Sequence, residues 1–333
     1  MKIAVVGATG AVGETILRVL AERKIPIASL DAFASRARAG AVRFGDATLD
    51  VRATDADALR GYDVVFFAGG EEASDRYASA LAKSGTVVID NSETFRMRDD
   101  VPLIVPEVNP DAIQPGDRIF PVGNCTAIVL SVALAPIRDV AGLREVRVAT
   151  YQAASGAGRA GLDELLAGER ALAGGAPEPT AQVFPRPLAR NVVPQVGSFD
   201  DLGWSGEERK VAEETRKMLG LPGLHVVATT VRVPVRTAHS EAIFVQTERD
   251  TSVEELARAF ERAKGVVFHR QGIVTPREVE GTDDVHVARL RAEDGSSRRH
   301  FALWAVGDQL RKGAATNAVQ ILELLTEKGY VGP

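Results

Sequence analysis

Short apolar runs alternate with helical patterns over the first third of this 333-residue chain. The runs are rich in Val and Ile, as is typical of parallel strands buried on both faces, and the helices between them complete βαβ units. This part of the chain is therefore predicted to be an α/β domain. The predicted elements are strands 3–6, 29–34, 63–68 and 86–90 and helices 11–23 and 73–83.

Beyond residue 125 the strand-like stretches are longer, more polar and alternating, which is typical of a sheet with one exposed face. Residues 173–187 are rich in Gly and Pro and predict a loop. The pattern Ser252-x-x-Glu255 predicts a capping box at the start of a helix. The predicted elements are strands 145–153, 224–233, 241–247, 285–290 and 299–306 and helices 160–172, 205–219, 252–263 and 314–328.

The length of the chain predicts about two domains, because single cores rarely grow past about 250–300 residues. A net charge of −5 provides no general basic surface for nucleic acid or an anionic membrane. No apolar run approaches the roughly 18 residues of a membrane span. With a single cysteine, no intrachain disulfide can form. We expect a cytoplasmic protein with neither a nucleic-acid nor a membrane partner.

The single cysteine, Cys125, follows a polar turn and begins an apolar run with helical character in Phe120-Pro-Val-Gly-Asn-Cys-Thr-Ala-Ile-Val-Leu130. This pattern predicts a thiol at the N-terminus of a helix. There the free N–H groups and the helix dipole favour the thiolate, which is the nucleophilic form. The alternative is a buried cysteine that serves only as a small hydrophobic residue.

A glycine-rich segment, Gly7-Ala-Thr-Gly-Ala-Val-Gly13, follows the first predicted strand and opens the first predicted helix. In this context the glycines permit a tight turn and close approach of the backbone to a pyrophosphate, which the helix N-terminus binds. A structural turn is the alternative. The segment therefore favours dinucleotide binding.

The region after the second predicted strand bears on the choice of cofactor. A site for NAD usually has an acidic residue there to bind the ribose hydroxyls, whereas this chain has Ser35, Arg36 and Arg38. Arginine suits a 2′-phosphate, so the pattern favours NADP. The alternative is that both arginines are solvated charges of a loop.

Other candidate residues are ambiguous on their own. Arg232, in an apolar strand, needs an anionic partner, which is either an internal carboxylate or a substrate. His239 is one of five histidines, which show no metal-ligand spacing, so no metal is expected. Glu207 and Lys210, three positions apart on a predicted helix, would ordinarily form a surface ion pair.

Several segments, taken together and in order, reduce this ambiguity. They are Gly7–Gly13, Asp90–Arg96 followed by Val101–Asn109, Gly123–Cys125, Thr150–Gly158, Arg232-Val-Pro-Val followed by His239-Ser-Glu241, and Lys312–Asn317. This arrangement resembles the aspartate-β-semialdehyde dehydrogenase family over essentially the whole chain. Each segment is unspecific alone, so the resemblance depends on their combination.

The resemblance implies a role for each matching residue. Cys125 would be the nucleophile, His239 the general acid and base, and Gln152 a positioning residue. Arg232 and Glu207 would hold the α-carboxylate and amino group of the substrate, and Arg96, Asn124 and Lys210 would bind inorganic phosphate. The cofactor NADP would be bound by Gly7, Thr9, Gly10, Ala11, Val12, Gly13, Ser35, Arg36, Arg38, Ser155, Gly156 and Asn317, and either arginine could meet the 2′-phosphate.

The resemblance also implies a fold and an activity. The fold would be an α/β Rossmann-type dinucleotide-binding domain, residues 1–124 and 313–333, plus an α+β catalytic and dimerisation domain, residues 125–312, with a mixed or antiparallel sheet. The enzyme would be a homodimer. It would reduce β-aspartyl phosphate to aspartate β-semialdehyde through a cysteine thioester, in lysine, diaminopimelate, threonine and methionine biosynthesis.

Two alternatives stay open. An N-acetyl-γ-glutamyl-phosphate reductase shares the fold and the cysteine chemistry, but it is expected to have a Gly-Cys-Tyr-Pro nucleophile segment, which Gly123-Asn-Cys-Thr126 does not match. A non-catalytic nucleotide-binding homologue would have no need to retain Cys125, Gln152, Arg232 and His239 together.

Overall fold

The computed structural model describes residues 1–35 and 40–332. These residues form two compact units, of which the first contains Met1–Asn124 and the chain from Ala314 onward, and the second contains Cys125–Gly313. Gly313, predicted to lie in the first domain, belongs to the second unit. A Cβ atom on Gly313 would lie 2.8 Å from the Cβ of Cys125, so the two backbones are in close contact there.

The first unit is built on a sheet of seven strands in the order β3-β4-β2-β1-β5-β6-β7. Its strands are parallel except for β3, which pairs with β4 as an antiparallel hairpin. The predicted parallel sheet is confirmed. The strands are β1 (Lys2–Val6), β2 (Ser29–Ala34), β3 (Gly40–Phe44), β4 (Ala47–Ala53), β5 (Val64–Phe67), β6 (Val87–Asp90) and β7 (Ile119–Pro121), and two of the helices are α1 (Ala11–Glu22) and α2 (Glu71–Lys83).

The terminal helix, Thr316–Glu327, completes the first unit by packing on α1. Arg23, directly after α1, donates from Nε and Nη2 to the two carboxylate oxygens of Glu323, at 2.8 and 2.7 Å. The buried side of the terminal helix includes Ile321, Leu322 and Leu325, as its apolar spacing predicted. A π-helix, Arg311–Ala315, directly precedes it.

The second unit contains a mixed sheet of six strands in the order β11-β12-β13-β10-β8-β9. The pairs β8–β9 and β11–β12 are parallel, and the other pairs are antiparallel. The elements are α3 (Cys125–Ala141), β8 (Glu145–Tyr151), α4 (Gly158–Ala173), α5 (Gly206–Leu219), β9 (His225–Thr229), β10 (His239–Gln246), α6 (Val253–Arg262), β11 (Val266–His269), α7 (Pro276–Val279), β12 (Val285–Ala292) and β13 (His300–Gly307).

The two faces of this second sheet differ. On β10, alternate side chains point to opposite faces, and burial alternates between Ile243, which is buried, and Phe244, which is exposed. Helix α3 packs on the buried face, where Val129 contacts Gly307. The opposite face, which we call the open face, leaves the rings of Tyr151 and Phe244 partly exposed. No helix in residues 1–35 or 40–332 is both long and apolar enough to cross a membrane.

Candidate active site

Cys125 is the first residue of α3, so the prediction of a thiol at a helix N-terminus is confirmed. Almost the whole of α3 is buried, whereas Cys125 itself is partly exposed. Its Sγ lies 3.9 Å from the hydroxyl of Thr126. The dipole at the start of this 17-residue helix is of the kind that favours a thiolate over a thiol.

His239, the first residue of β10, is completely buried. Its Nδ1 accepts a hydrogen bond from the backbone N–H of Ala153 at 3.1 Å. Burial, and then the charge of Arg232, lower the pKa of His239 well below 6.5, so the ring is neutral. Because Nδ1 is an acceptor, the hydrogen-bond network assigns the single ring proton to Nε2. The Nε2 atom has no hydrogen-bond partner among the described residues.

The backbone just before His239 is held by Gln309. Ala238 has a left-handed φ of 68°, which is uncommon for a residue with a side chain. Its N–H donates to Oε1 of Gln309 at 2.7 Å, and Nε2 of Gln309 donates to Oγ of Ser155 at 2.5 Å. No sequence motif indicated Gln309, because its contacts are with residues 71 and 154 positions away.

Gly156 is the point at which the imidazole and a guanidinium converge. A Cβ atom built on Gly156 would lie 2.7 Å from Nη1 of Arg232 and 3.0 Å from Nε2 of His239. Only glycine leaves room for both side chains here. This packing explains Gly156 without a cofactor, so its cofactor role stays a prediction, as does that of Ser155.

Gln152 and Glu207 are in direct contact, although they are far apart in sequence. The side-chain Nε2 of Gln152 donates to Oε1 of Glu207 at 3.0 Å. The Oε1 of Gln152 accepts from the hydroxyl of Thr150 at 3.1 Å. Glu207 is therefore not simply half of a surface ion pair with Lys210, which was the ordinary expectation for residues three apart on a helix.

Arg232 is almost completely buried, and its Nη1 donates to the backbone oxygen of Ala153 at 2.7 Å. Its guanidinium lies 5.7 Å from the centre of the Phe184 ring. Burial lowers the pKa of Arg232, while the charges of Glu207 and Cys125 raise it. Cys125 and Glu207 are therefore both close enough to Arg232 to interact with its charge.

The start of α5 fixes the position of Glu207. Ser205 and Glu208 form a capping box, in which each side chain accepts from the backbone N–H of the other residue. Glu208 also accepts from the backbone N–H of Thr230 at 3.0 Å through its second oxygen. The first turn of α5 is thus tied to the segment that leads into Arg232, so Glu207 and Arg232 are held near each other.

The glycine segment lies in the first unit, beside a cavity of about 840 Å³. Gly7 has a φ of 82°, and a Cβ atom there would lie 2.5 Å from the backbone nitrogen of Gly69. The cavity lies at the carboxyl ends of the strands, where dinucleotides bind in open α/β sheets. Its lining includes Gly7, Thr9, Gly10, Ser35, Gly69 and Gly70. The volume and the glycine content of this cavity fit a dinucleotide.

Four other predicted cofactor residues lie on two helices: three begin α1, and the fourth is on the terminal helix. Ala11, Val12 and Gly13 begin helix α1. Asn317 is completely buried, and its Nδ2 donates to the backbone oxygen of Ile104 at 3.0 Å. This bond ties the terminal helix to the rest of the first unit, and contact of Asn317 with the nicotinamide stays a prediction.

The predicted phosphate ligands are divided between the units. Arg96 and Asn124 belong to the first unit and Lys210 to the second, and Nη2 of Arg96 donates to the backbone oxygen of Asn91 at 2.9 Å. Arg36 and Arg38 lie outside the described residues, so which of them meets a 2′-phosphate stays open. Within the described part of the chain, no group of three or more His, Cys, Asp and Glu side chains could hold a metal ion.

Models of one protein family match both parts of the chain. Residues 2–115 match the NAD binding domain of semialdehyde dehydrogenases, and residues 134–312 match their dimerisation domain. The aspartate-semialdehyde dehydrogenase of Aquifex aeolicus is 41% identical over 338 residues, covering 99% of both chains. Aspartate-semialdehyde dehydrogenase 2 of Vibrio cholerae is 42% identical over 329 residues, covering 97% of both.

Solved structures agree with these sequence matches. The crystal structure of aspartate semialdehyde dehydrogenase II from Vibrio cholerae superposes with a TM-score of 0.94 at 40% identity, covering 98% of this chain and 99% of that one. A structure of the same enzyme complexed with ASA superposes with a TM-score of 0.93 at 39% identity, covering 98% of both chains.

Proposed function

We propose, since the chain belongs to the aspartate-semialdehyde dehydrogenase family, that it interconverts β-aspartyl phosphate and aspartate β-semialdehyde with NADP as cofactor. The observation that carries the proposal is the grouping of Cys125 at a helix N-terminus with Gln152, Glu207, Arg232 and His239 in one unit. In this role the enzyme serves lysine, threonine and methionine biosynthesis.

Cys125 performs the covalent chemistry. In the reductive direction its thiolate attacks the acyl carbon of β-aspartyl phosphate, the bond from that carbon to the phosphate oxygen breaks, and phosphate leaves with the electron pair. The product is a thioester on Cys125. The cavity beside Gly7 would hold NADPH, which when bound would supply the hydride that reduces the acyl group. Collapse of the resulting oxyanion breaks the carbon–sulfur bond and releases the aldehyde and the thiolate.

His239 stabilises the oxyanion. Its neutral ring presents an N–H at Nε2, beside Gly156 and the guanidinium of Arg232. A hydrogen-bond donor held in a buried position stabilises a developing negative charge with little reorganisation. A second proton on the ring would have to bind Nδ1, and this would break the hydrogen bond that Nδ1 accepts from the backbone N–H of Ala153. We therefore infer that His239 first donates a hydrogen bond to the oxyanion. This is the first part of the general acid and base role that the family resemblance implies.

The substrate is held by charges of both signs. The guanidinium of Arg232 can bind the α-carboxylate through two N–H groups, and the carboxylate of Glu207 can accept from the amino group. The buried capping box that holds α5 keeps these two groups at a fixed separation. Arg96, Asn124 and Lys210 are proposed to bind the phosphate that enters or leaves.

A homodimer is proposed to form through the open face of the second sheet. Tyr151 and Phe244 are 38% and 40% exposed there, and the ring of Tyr151 lies 5.4 Å from that of Trp304. Large, partly exposed aromatic side chains on a sheet face are typical of a surface covered by a partner. Residues 134–312 match a dimerisation domain, which supports this assignment.

One assay tests the proposed reaction. Purified enzyme is given NADP⁺ and inorganic phosphate with either aspartate β-semialdehyde or N-acetylglutamate semialdehyde, and the formation of NADPH is followed by absorbance. We expect phosphate-dependent turnover of aspartate β-semialdehyde, because Arg232 and Glu207 match its carboxylate and free amino group. Turnover of only the N-acetylated substrate would show that the enzyme is the alternative reductase.

A further inference from the structure

Thr150 lies next to the proposed substrate site but has no assigned role. It is on β8 and is completely buried. Its hydroxyl oxygen accepts from the backbone N–H of Val231 at 3.2 Å, and its proton is donated to Oε1 of Gln152 at 3.1 Å. The single hydroxyl is therefore used both as an acceptor and as a donor.

The bond from Thr150 and the bond to Glu207 together determine which way the Gln152 amide faces. A carboxylate only accepts hydrogen bonds, so the amide nitrogen of Gln152 must be the atom that faces Glu207, at 3.0 Å. The amide oxygen then faces Thr150, which supplies the matching proton. With its oxygen turned toward Thr150, Gln152 keeps a second N–H on the amide nitrogen that faces Glu207.

The same hydroxyl also joins β8 to the segment that contains Arg232. The backbone N–H of Gln152 donates to the oxygen of Val231 at 2.7 Å, and the N–H of Val233 donates to the oxygen of Gln152 at 3.0 Å. The bond from Val231 to Thr150 adds a side-chain contact at this junction. Thr150 thus contacts both Gln152 and the backbone next to Arg232.

We propose that Thr150 is a positioning residue, which acts on the reaction through Gln152 and Glu207 without touching the substrate. This inference rests on the proposed function, since it assigns Glu207 to the amino group of the substrate. Loss of the hydroxyl would remove the donor to the Gln152 oxygen, so the amide could turn and leave Glu207. The substrate would then bind with its reacting carbon misplaced relative to Cys125.

Replacement of the hydroxyl by a methyl group tests the proposal. Thr150→Val keeps the shape of the side chain, and we expect kcat/KM for aspartate β-semialdehyde to fall about tenfold to a hundredfold, as expected for a misplaced reacting atom. Thr150→Ser keeps the hydroxyl and should restore most of the activity. The rate of Cys125 alkylation by iodoacetamide and the affinity for NADPH should not change, because neither depends on the Gln152 amide.

Thr247 provides a matched control in the same unit. It is equally buried, and its acceptors among the described residues are backbone oxygens, at 2.8 Å for Arg249 and 3.4 Å for Arg299. Thr247→Val should lower the melting temperature without changing kcat/KM. If Thr150→Val lowers kcat/KM no more than Thr247→Val does, the positioning role is wrong. If Thr150→Val does not fold, the same measurements are made on Thr150→Ala. The smaller side chain leaves space for a water molecule that can bind the N–H of Val231.

A double-mutant cycle separates action through Gln152 from a general structural effect. In the Gln152→Ala background, Thr150→Val should cause little further loss of kcat/KM, because the amide it orients is gone. An equal loss in both backgrounds would overturn the proposal. A crystal structure of Thr150→Val gives a readout that does not need turnover: the Gln152 amide should be rotated away from Glu207. An unchanged contact between Gln152 and Glu207 in the Thr150→Val structure would contradict the positioning role, whether or not the proposed reaction is right. If the wild-type enzyme shows no turnover, only the proposed reaction is overturned.

Discussion

Two ionisable side chains on β10, His239 and Glu241, are completely buried and respond to burial in opposite directions. Burial lowers the pKa of His239 well below 6.5 and raises the pKa of Glu241 well above 4.5, so that burial disfavours the charged form of each side chain. Neither oxygen of the Glu241 carboxyl has a hydrogen-bond partner among the described residues. Since the charged forms are disfavoured in the folded state, both residues make stability depend on pH.

The sign of the effect is opposite for the two residues. As the pH falls below about 6.5, His239 takes up a proton in the unfolded chain but not in the folded one, so stability falls. As the pH rises above about 4.5, Glu241 loses its proton in the unfolded chain but keeps it in the folded one, so stability falls with rising pH until the raised pKa is passed. Above about pH 6.5 the unfolded chain no longer protonates His239, so this residue adds no further pH dependence.

We predict that Glu241→Gln makes the enzyme more resistant to unfolding at alkaline pH. The amide has nearly the same shape and cannot ionise, so the stability gained relative to the wild type should grow as the pH rises from about 4.5 toward the raised pKa of Glu241. Urea unfolding of both proteins at several pH values measures the difference. A constant difference across this range would show that Glu241 is ionised in the folded enzyme.

Arg232→Lys tests how the substrate carboxylate is bound. Lysine keeps the charge but replaces the planar guanidinium, which donates through two N–H groups, by a single ammonium group. We therefore expect a raised KM and a reduced kcat, with little change in melting temperature. Steady-state kinetics and a melting curve measure both. Arg216→Lys is a control in the same unit, because Nε of Arg216 donates to the backbone oxygen of Leu224.

The opposite result would assign Arg232 to the interior of the protein. If its main partner is Glu207, disruption of that pair would lower stability, by at most the roughly 3–5 kcal/mol of a fully buried pair. A strongly destabilised Arg232→Lys enzyme with an unchanged KM per folded molecule would contradict the assignment to the substrate carboxylate.

Single residues could be predicted from the sequence where a motif or a helix start marked them. Cys125 was predicted correctly at a helix N-terminus because the change from polar turn to apolar run is local. Thr150 and Gln309 could not be predicted, because each acts through contacts with distant parts of the chain. The pairing of Gln152 with Glu207 depends in the same way on the packing of α5 against the sheet.

At the scale of elements, the pattern Ser-x-x-Glu occurs at the start of two helices, α5 and α6, and its hydrogen bonds differ between them. Ser205 and Glu208 form a complete capping box. At Ser252 the hydroxyl accepts from the N–H of Glu255, but the carboxylate of Glu255 accepts from the hydroxyls of Ser252 and Thr251. The predicted capping box at Ser252 is therefore wrong in its second half, since a neighbouring hydroxyl competes for the carboxylate.

The β3–β4 hairpin and the short strand β11 were missed. Residues 40–53 form strands of five and seven residues in which nearly every side chain is exposed or partly exposed. Such a short, exposed hairpin at the edge of a sheet has little apolar periodicity to distinguish it from a loop. The buried strands β1, β5 and β6 gave a clear signal because they are almost uniformly apolar.

We predict that Gly13→Ala disrupts the turn between β1 and α1. The added Cβ would lie 2.3 Å from the backbone oxygen of Gly7 and 2.7 Å from the Cα of Ala8. Overpacking of this kind costs about 1–3 kcal/mol, and the shifted backbone should weaken NADPH binding. Gly10→Ala is the graded control, since its nearest atom would lie 3.3 Å away. Melting curves and fluorescence titration measure both effects, and equal stability of the two variants would contradict the tight packing of Gly13.

For the whole molecule, the predicted α/β organisation and the mixed second sheet are confirmed. The return of the terminal helix to the first unit was inferred from family resemblance, because an amphipathic helix alone does not show which surface it covers. The ion pair between Arg23 and Glu323 links residues 300 positions apart, and no local pattern predicts it.

We predict that Phe244→Arg on the open face weakens the homodimer. The substitution replaces an exposed apolar ring by a cation that must lose its water when the partner covers this face. Val140→Arg is the control, because Val140 is similarly exposed but lies near the end of α3. Analytical ultracentrifugation over a range of concentrations measures the association. A dimer of unchanged affinity in Phe244→Arg would place the interface on another surface.

The covalent role of Cys125 can be tested most directly by trapping the acyl-enzyme. The wild-type protein is incubated with aspartate β-semialdehyde and NADP⁺ without phosphate, quenched in acid, and analysed by intact and peptide mass spectrometry, with Cys125→Ser treated in parallel. We predict that one aspartyl group is bound to the peptide that contains Cys125, that added phosphate removes it, and that Cys125→Ser acquires no thioester. Turnover without any adduct on Cys125, or an adduct on a different residue that phosphate discharges, would contradict thioester catalysis by this residue.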